Sequence, residues 1–208
     1  MNKTLPGVKY TGYDNNPEML ILARNRLTGF SNINFTNTFP NNICDHNSLL
    51  NLSSVIHEVY SYCDKNEIEK FWNNVFLSGF DYISIRDMCV LESVDRKTSR
   101  TDYWKLLKCA NKNQVKDFES TWGSLMDNRN FVHFLMKYRY VKNWNREVNE
   151  NYFPITLKEL VNRIPMDKYD VKYLRSYCLP YTKSVVKKDF GIDIKDNTHV
   201  QLLLKKRM

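Results

Sequence analysis

Residues 8–27, VKYTGYDNNPEMLILARNRL, carry the clearest structural signal in this chain of 208 residues. The first six, residues 8–13, are rich in β-branched and aromatic side chains and predict a short strand. Asn16 and Pro17 then predict the start of a helix, because proline favours the first helical position. Apolar residues follow at helical spacing until Gly29. A strand that leads directly into a helix is therefore predicted.

The same alternation recurs along the chain. Strands are predicted at residues 33–36, 52–57, 81–88, 169–179 and 199–204, and helices at 68–76 and from Pro180 to Gly191. Between them, residues 90–165 predict helices only, at 101–109, 113–126, 129–146 and 156–164. Strands separated by helices indicate an α/β fold with a largely parallel sheet. No internal repeat interrupts this pattern.

The composition narrows the class of protein. The hydrophobic fraction of 42% and the aromatic fraction of 13% are typical of a globular chain. No apolar run approaches the roughly 20 residues that cross a bilayer, and the first residues do not form a signal peptide. The five cysteines form no CxxC pair and the four histidines lack ligand spacing. We therefore predict no disulfide framework and no metal site, and a cytoplasmic location.

The positive charge is concentrated in the second part of the chain. The net charge of the whole chain is +8, but residues 1–89 have 7 basic and 9 acidic residues. Residues 96–146 alone have 12 basic against 4 acidic residues. Clustered Lys and Arg attract phosphates, so this segment predicts an anionic partner. The alternative is a solvated basic surface without a ligand.

Several of these segments resemble Rossmann-like S-adenosylmethionine-dependent methyltransferases. The resemblance covers residues 5–89 and 155–206, and it rests on four segments: residues 8–27 as the second strand and its helix, SSVIHEVYSY (53–62) as the fourth strand, DYISIRDM (81–88) as the fifth strand, and DNTHVQLLLKKR (196–207) as the last antiparallel hairpin. It implies one methyltransferase-like domain over residues 1–208, with a mostly parallel sheet and an antiparallel last strand. Residues 90–154 would be a helical insertion.

The resemblance also implies a cofactor, S-adenosylmethionine. In this family an acidic residue at the end of the second strand holds the ribose hydroxyls, and Asp14 matches it. A carboxylate can accept both hydrogen bonds of a cis-diol. Asn15 and Asn37 complete the predicted cofactor-binding residues. The alternative role for Asp14 is to cap the following helix, although Asn16 is equally suited to that role.

Polar residues after two predicted strands suggest a reaction centre, since ligands bind at the carboxyl ends of parallel strands. His57, Glu58 and Asp87 are the predicted catalytic residues, with His57 as a general base near neutral pH. Tyr60, Tyr62 and Arg86 are predicted to bind the substrate. The alternatives are a histidine satisfied by the backbone, and an Arg86 and an Asp87 that pair only with neighbouring side chains.

The helical segment supplies a second set of candidates. His133, Lys137, Tyr140 and Trp144 follow one another at helical spacing in NFVHFLMKYRYVKNW, residues 130–144. Such a stripe can stack on a base and hold a phosphate, so His133, Lys137 and Tyr140 are predicted to bind the substrate. The alternative is that these amphipathic side chains cover the edges of the core.

One departure from the family is large. The family's first strand and glycine-rich loop have no counterpart, because the six glycines are never closer than five residues apart. MNKTLPGVKY, residues 1–10, reads as the end of the family's first helix running into the second strand. The chain thus resembles an N-terminally truncated member that lacks the first βα unit. The absent strand lies in the middle of the family's sheet, so a polypeptide supplying it is a predicted partner.

The leading functional hypothesis is methyl transfer to a small, anionic or nucleic-acid acceptor. A second hypothesis is a non-catalytic module that binds nucleic acid or a partner subunit through its basic helices. A third, a nucleotide-dependent oxidoreductase, shares the strand order and ribose acid but also needs the missing loop. The first hypothesis predicts Asp14, His57 and Asp87 near the carboxyl edge of the sheet. It also predicts that residues 96–150 form a helical cap over that same edge, lined by several of Lys105, Arg129, Lys137, Arg139 and Arg146.

Overall fold

The computed structural model describes residues 7–41, 43 and 47–207. The described strands are β1 (Tyr10–Tyr13), β2 (Ile33–Thr36), β3 (Leu49–Ser53), β4 (Tyr82–Met88), β5 (Tyr169–Tyr177) and β6 (His199–Lys206). The described α-helices are α1 (Pro17–Arg26), α2 (Ile56–Tyr62), α3 (Lys65–Leu77), α4 (Arg100–Cys109), α5 (Lys112–Trp122), α6 (Asn128–Lys137), α7 (Trp144–Glu147), α8 (Leu157–Asn162) and α9 (Pro180–Phe190). The predicted end of a helix within residues 1–6 lies outside the described residues. None of the described helices has the length and apolarity to span a membrane.

The chain divides into two compact units, Met1–Ile43 with Leu77–Gly79 and Cys44–Phe76 with Phe80–Met208. In the first unit β1 and β2 are connected by α1 and pair in parallel, with Tyr10 opposite Ile33. Of the apolar side chains on α1, Leu20 is buried, whereas Met19, Ile21 and Leu22 remain about half exposed. The described part of this unit therefore has very little core of its own.

The second unit contains a four-stranded sheet in the order β3-β4-β6-β5. β3 and β4 are parallel, and β6 is antiparallel to both of its neighbours. The predicted α/β class and the antiparallel last strand are confirmed. β6, which follows α9 in the chain, lies in the sheet between β4 and β5.

The two faces of this sheet differ in burial. Ile83, Ile85, Leu202 and Leu204 alternate onto one face and are at most 2% exposed. The residues between them point to the other face, which we call the open face, and those on the two central strands are mostly partly exposed. One side of the sheet therefore carries the apolar core, and the other is only partly covered.

The helices of the insertion build a second core together with α9. Leu106, Phe118, Phe134, Val186 and Phe190 are buried in one cluster. On α6, Phe131, Phe134 and Leu135 face this cluster and are buried. Between β4 and β5 the described chain contains helices and no strand, and the role of residues 90–154 as an insertion stays a prediction.

Two predicted elements have the wrong boundaries. The strand predicted at 52–57 ends at Ser53, because Ser54 takes a left-handed backbone with φ +58° and turns the chain into α2. The helix predicted at 129–146 ends at Lys137, where the amide of Tyr140 donates to the carbonyl of Lys137 and tightens the chain. Tyr140 and Trp144 therefore do not continue the helical stripe of His133 and Lys137.

Leu203 and Leu204 are adjacent on β6 and point to opposite faces, so they form a matched pair. We expect Leu204→Ala to lower the free energy of unfolding by about 2–5 kcal/mol, because it leaves a cavity in the buried face. Leu203→Ala removes a partly exposed side chain and should cost less than half as much. Urea unfolding followed by circular dichroism measures both. Equal losses would contradict the one-sided core.

Candidate functional site

The carboxylate of Asp87 is held by four hydrogen bonds. Its Oδ2 accepts from the backbone amides of Val55, at 2.8 Å, and Ile56, at 2.6 Å. Its Oδ1 lies 2.6 Å from His57 Nδ1 and accepts from the amide of Met88 at 2.7 Å. A carboxylate in this setting accepts and does not donate, so His57 Nδ1 carries a proton. The lone pair of the imidazole is then on Nε2.

The local sequence explains this arrangement. Ser54 follows β3 in the left-handed region, and its amide donates to the carbonyl of Arg86 at 2.9 Å. A left-handed non-glycine residue is strained by roughly 1–3 kcal/mol and is typical of functional sites. α2 then begins without a side-chain cap from its own N-cap residue. The carboxylate of Asp87, from the neighbouring strand, takes over that role and fixes the position of His57.

His57 is buried, with 4% of its surface exposed, and lies in the first turn of α2. Burial lowers the pKa of the imidazole, but the hydrogen bond and the charge of Asp87 raise it. Glu58 and Glu150 add smaller effects in the same direction, so the pKa is raised above 6.5. The ring of Tyr152 packs edge-on against His57, with centroids 5.6 Å apart. A histidine with such a pKa is suited to accept a proton near neutral pH.

A second polar group links α2 to α7. Arg146 Nε binds Glu150 Oε1 at 2.9 Å, and its Nη2 binds Glu58 Oε1 at 3.3 Å. Tyr62 donates from its hydroxyl to the same Glu150 oxygen at 2.9 Å. Glu58 and Tyr62, both predicted site residues, are thus joined through one arginine–glutamate pair.

Lys137 and His133 lie behind this group, in the interior. Lys137 is fully buried and its Nζ donates to the carbonyls of Glu147 and Glu150, each at 2.6 Å. The same Nζ lies 4.4 Å from the ring centroid of Tyr152, whose hydroxyl binds Glu147. His133 Nε2 lies 3.2 Å from the amide of Tyr152. These contacts fix the segment 147–152, and through Tyr152 they reach His57.

Burial shapes the ionisation of both side chains. It lowers the pKa of Lys137 to about 7, against the opposing charges of Glu147 and Glu150. It lowers the pKa of His133 well below 6.5, and the charge of Lys137 adds to that effect. Their predicted contact with a substrate stays a prediction. The structure places the side chains of His133 and Lys137 in the interior. This agrees with the alternative, in which they cover the edges of the core.

The other predicted substrate residues lie elsewhere. Tyr60 accepts from Trp72 Nε1 at 3.1 Å and lies under Arg163. Arg86 alternates with Asp87 on β4 and therefore points to the open face, with Nη1 3.4 Å from Ser53 Oγ. Tyr140 is about half exposed, in a surface depression formed by residues 139–143. The site thus gathers His57, Glu58, Tyr62 and Asp87, but not these three.

Sequence reasoning missed Tyr152, Glu147 and Glu150. The two glutamates offered a signal, since they follow a strongly basic stretch as a pair of carboxylates three residues apart. Tyr152 offered none, because its role depends on the way Lys137 draws residues 147–152 back against α6. Among the described residues, no group of three or more His, Cys, Asp or Glu could hold a metal ion.

Asp14 lies directly after β1 in the first unit. Its Oδ1 accepts from the amide of Asn16 at 2.8 Å, whereas its Oδ2 has no hydrogen bond within the described chain. The N-cap of α1 is Asn16, whose side chain accepts from the amide of Glu18 at 2.9 Å. Asp14 is therefore not the cap of α1. Asn15 and Asn37 are exposed, and Asn37 follows the end of β2.

Most of the basic side chains of residues 96–146 are occupied. Six form ion pairs: Arg96 with Asp196, Lys97 with Asp127, Lys105 with Asp102, Arg129 with Asp95, Arg139 with Asp189, and Arg146 with Glu58 and Glu150. Lys137 is buried. Within the described ranges the other five make no ion pair: Arg100, Lys108, Lys112, Lys116 and Lys142. Much of the local excess of charge is thus offset by neighbours outside the segment.

Comparisons with known proteins bear on the fold. No protein-family model matches the chain, and no curated protein matches it either. Solved structures, in contrast, do match the chain. They include a protein proposed to be a methyltransferase (BH2331) from Bacillus halodurans, with TM-score 0.53 and 9% identity over 100% of this chain and 87% of that one. PKMT2 from Rickettsia typhi, solved in complex with AdoHcy, gives TM-score 0.53 and 9% identity over 98% of this chain.

The chain has a methyltransferase-like fold. A pericyclic reaction enzyme also matches, with TM-score 0.50 and 10% identity over 99% of this chain. Because identities near 10% show the fold alone, and one fold hosts different reactions, the chemistry must be argued from the site. The chain spans 39% of the pericyclic enzyme and 45% of PKMT2.

The hydrogen bonds of Asp87 predict a large cost for its neutralisation. We expect Asp87→Asn to lower the free energy of unfolding by about 2–5 kcal/mol, because the amide presents a donor where four donors converge. Asp170→Asn is the matched control. Asp170 lies at the surface and pairs with Lys172 and Arg207, so its change should cost far less than that of Asp87. Chemical denaturation measures both, and a small loss for Asp87→Asn would contradict this account.

Lys137 predicts a pH-dependent stability. In the unfolded chain a lysine has a pKa of about 10.4, whereas burial lowers that of Lys137 to about 7. Between these values the unfolded chain binds the additional proton, so the contribution of Lys137 makes stability rise with pH. In Lys137→Met that contribution is absent. Unfolding at pH 7 to 10 should therefore show a smaller increase in the variant than in the parent, and parallel curves would contradict the buried amine.

Proposed function

We propose that this chain belongs to an S-adenosylmethionine-dependent methyltransferase in which His57, held by Asp87, accepts the proton of the methyl acceptor. One observation carries the proposal. Asp87 fixes His57 in the tautomer with an unprotonated Nε2, directly after β3 and beside the carboxyl end of β4. In open α/β folds, ligands bind at such strand ends. The methyltransferase-like fold supports this assignment.

The proposed chemistry uses few groups of the protein. S-adenosylmethionine, when bound, supplies an electrophilic methyl group. The acceptor loses its proton to His57 Nε2, and the carboxylate of Asp87 stabilises the imidazolium that forms. Burial of the pair strengthens this charge interaction. Glu58 and Tyr62, which are joined through Arg146 and Glu150, would orient the acceptor.

The described residues fit only one end of this cofactor. Asp14 offers an unbonded Oδ2 after β1, which suits a ribose hydroxyl, and Asn15 and Asn37 are exposed beside the ends of β1 and β2. For the methionine end the described chain contains no closely spaced glycines that would let backbone amides approach a ligand. No described residue is assigned to the methionine end of the cofactor. The cofactor site is incomplete in these residues.

A further polypeptide segment would complete the proposed site. Within the described residues β1 pairs only with β2, and β3 pairs only with β4, so each has one edge without a strand partner. Unpaired edges invite pairing with another chain. The half-exposed Met19, Ile21 and Leu22 of α1 indicate that the first unit also lacks apolar cover. We therefore include in the proposal a partner that supplies a strand and a glycine-rich loop.

The acceptor is proposed to be anionic, with nucleic acid as one class. Five basic side chains of residues 96–146 make no ion pair in the described structure and remain for such a ligand. The same residues would serve the second hypothesis, a non-catalytic nucleic-acid-binding module. The two hypotheses differ at His57, since binding of an anion through surface lysines does not require an imidazole.

Calorimetric titration of S-adenosylmethionine tests the incomplete site. The chain alone should bind weakly or not at all, because the methionine end has no cradle, and a version carrying a preceding strand and glycine-rich loop should bind. Asp14→Asn in the completed version should weaken binding by about tenfold, the effect of one charge-assisted hydrogen bond. Asp64→Asn serves as the control. Micromolar binding by the chain alone would contradict the need for a completing segment.

His57 separates the enzyme from the binding module. In the completed protein, His57→Asn should lower the rate of methyl transfer by about 10²–10⁴-fold, the usual contribution of a general base. Binding of S-adenosylmethionine should change little. Transfer of a tritiated methyl group measures the rate. Methyl transfer at the parent rate, or loss of nucleic-acid binding on the same substitution, would contradict the assigned role.

A further inference from the structure

The open face of the four-stranded sheet carries a polar row that crosses all four strands. Register places Ser53 opposite Arg86, Arg86 opposite Gln201, and Gln201 opposite Arg175. Neighbouring strands lie about 4.8 Å apart, so the two arginines flank Gln201 with their Cα atoms roughly 10 Å apart. Both guanidinium groups are exposed. The row therefore presents two positive charges and no carboxylate.

These two arginines differ from most others in the chain. Arg96, Arg129, Arg146, Arg163 and Arg207 each bind a carboxylate. Arg86 contacts Ser53 Oγ, at 3.4 Å, and Arg175 lies over the ring of Tyr177, at 5.4 Å. In the described structure neither has an acidic partner. Within the described residues the positive charges of Arg86 and Arg175 thus remain without a neutralising carboxylate.

Apolar and polar side chains flank the row. On one side the next row runs through Asn51, Ser84, Leu203 and Tyr173. On the other side lie Met88, His199 and Tyr177, with the last two rings stacked at 5.5 Å. Leu49 and Tyr173 are 54% and 46% exposed. A small anion would leave this apolar surface in water, whereas sheets of α/β folds are usually covered by helices on both faces.

We propose that the open face binds an amphipathic, acidic helix of another polypeptide. Apolar side chains of the helix would pack on Leu203, Tyr173 and Leu49, and its carboxylates would pair with Arg86 and Arg175. A second copy of this chain does not fit, because it would oppose the same arginines across the interface and carries a net charge of +8. The proposal stands independently of the proposed methyl transfer, since Arg86 faces away from Asp87.

Peptide binding tests the proposal directly. The probe is a fluorescent 18-residue helical peptide of Leu and Glu with one apolar face, compared with a scrambled peptide of the same composition. Fluorescence anisotropy should show binding of the amphipathic peptide only. Arg86→Glu with Arg175→Glu should weaken it by at least about tenfold, because like charges then oppose each other. A peptide with Lys in place of Glu should bind this double variant.

The matched control is Lys65→Glu with Lys70→Glu, the same change of charge at exposed positions of α3. It should alter peptide binding by less than about threefold, the effect of net charge alone. Circular dichroism verifies that both double variants fold. Three results would overturn the proposal: equal binding of the scrambled peptide, equal losses in both variants, or no binding at about 1 mM peptide. Preferential binding of a single-stranded oligonucleotide through Arg86 and Arg175 would also overturn it.

Discussion

The carboxylate of Asp87 is the contact on which the candidate site depends. It receives two amides from the turn after β3, one from its own strand, and the imidazole of His57. Buried polar groups are costly unless they are paired, and here all four donors converge on one side chain. Because α2 starts on this carboxylate, the directions of Glu58 and Tyr62 follow from it as well. Removing the charge would release both the helix start and the tautomer of His57.

A second buried ionisable side chain, Lys137, supports the other part of the site. Lys137 binds two backbone carbonyls of the segment 147–152 and lies over Tyr152, which packs on His57. Burial lowers the pKa of both ionisable groups, but the two pKa values shift in opposite directions. The pKa of Lys137 is lowered because burial removes the ammonium from water, whereas that of His57 is raised because the carboxylate of Asp87 outweighs burial. The site thus combines an imidazole whose protonated form is stabilised with an amine that loses its proton near neutral pH.

Local signals predicted a large part of the fold. The strand at Ile33–Thr36 has the predicted bounds, and Pro180 and Gly191 delimit α9 because proline starts helices and glycine ends them. His57 was placed one element too early, since the left-handed Ser54 has no sequence signal. Lys137 and His133 were expected at a surface, and only the return of residues 147–152 buries them. The open face depends on strand order, which periodicity does not give.

The tautomer and pKa of His57 test the central claim most directly. Nuclear magnetic resonance titration of the isotope-labelled imidazole, assigned with His57→Gln, reports both. Our account predicts a pKa above 6.5, a proton on Nδ1 in the neutral form, and a lower pKa in Asp87→Asn. The sign follows from the charge of Asp87, which favours the imidazolium against the cost of burial. A pKa below 6.5, or a proton on Nε2, would contradict the assignment of His57 as the proton acceptor.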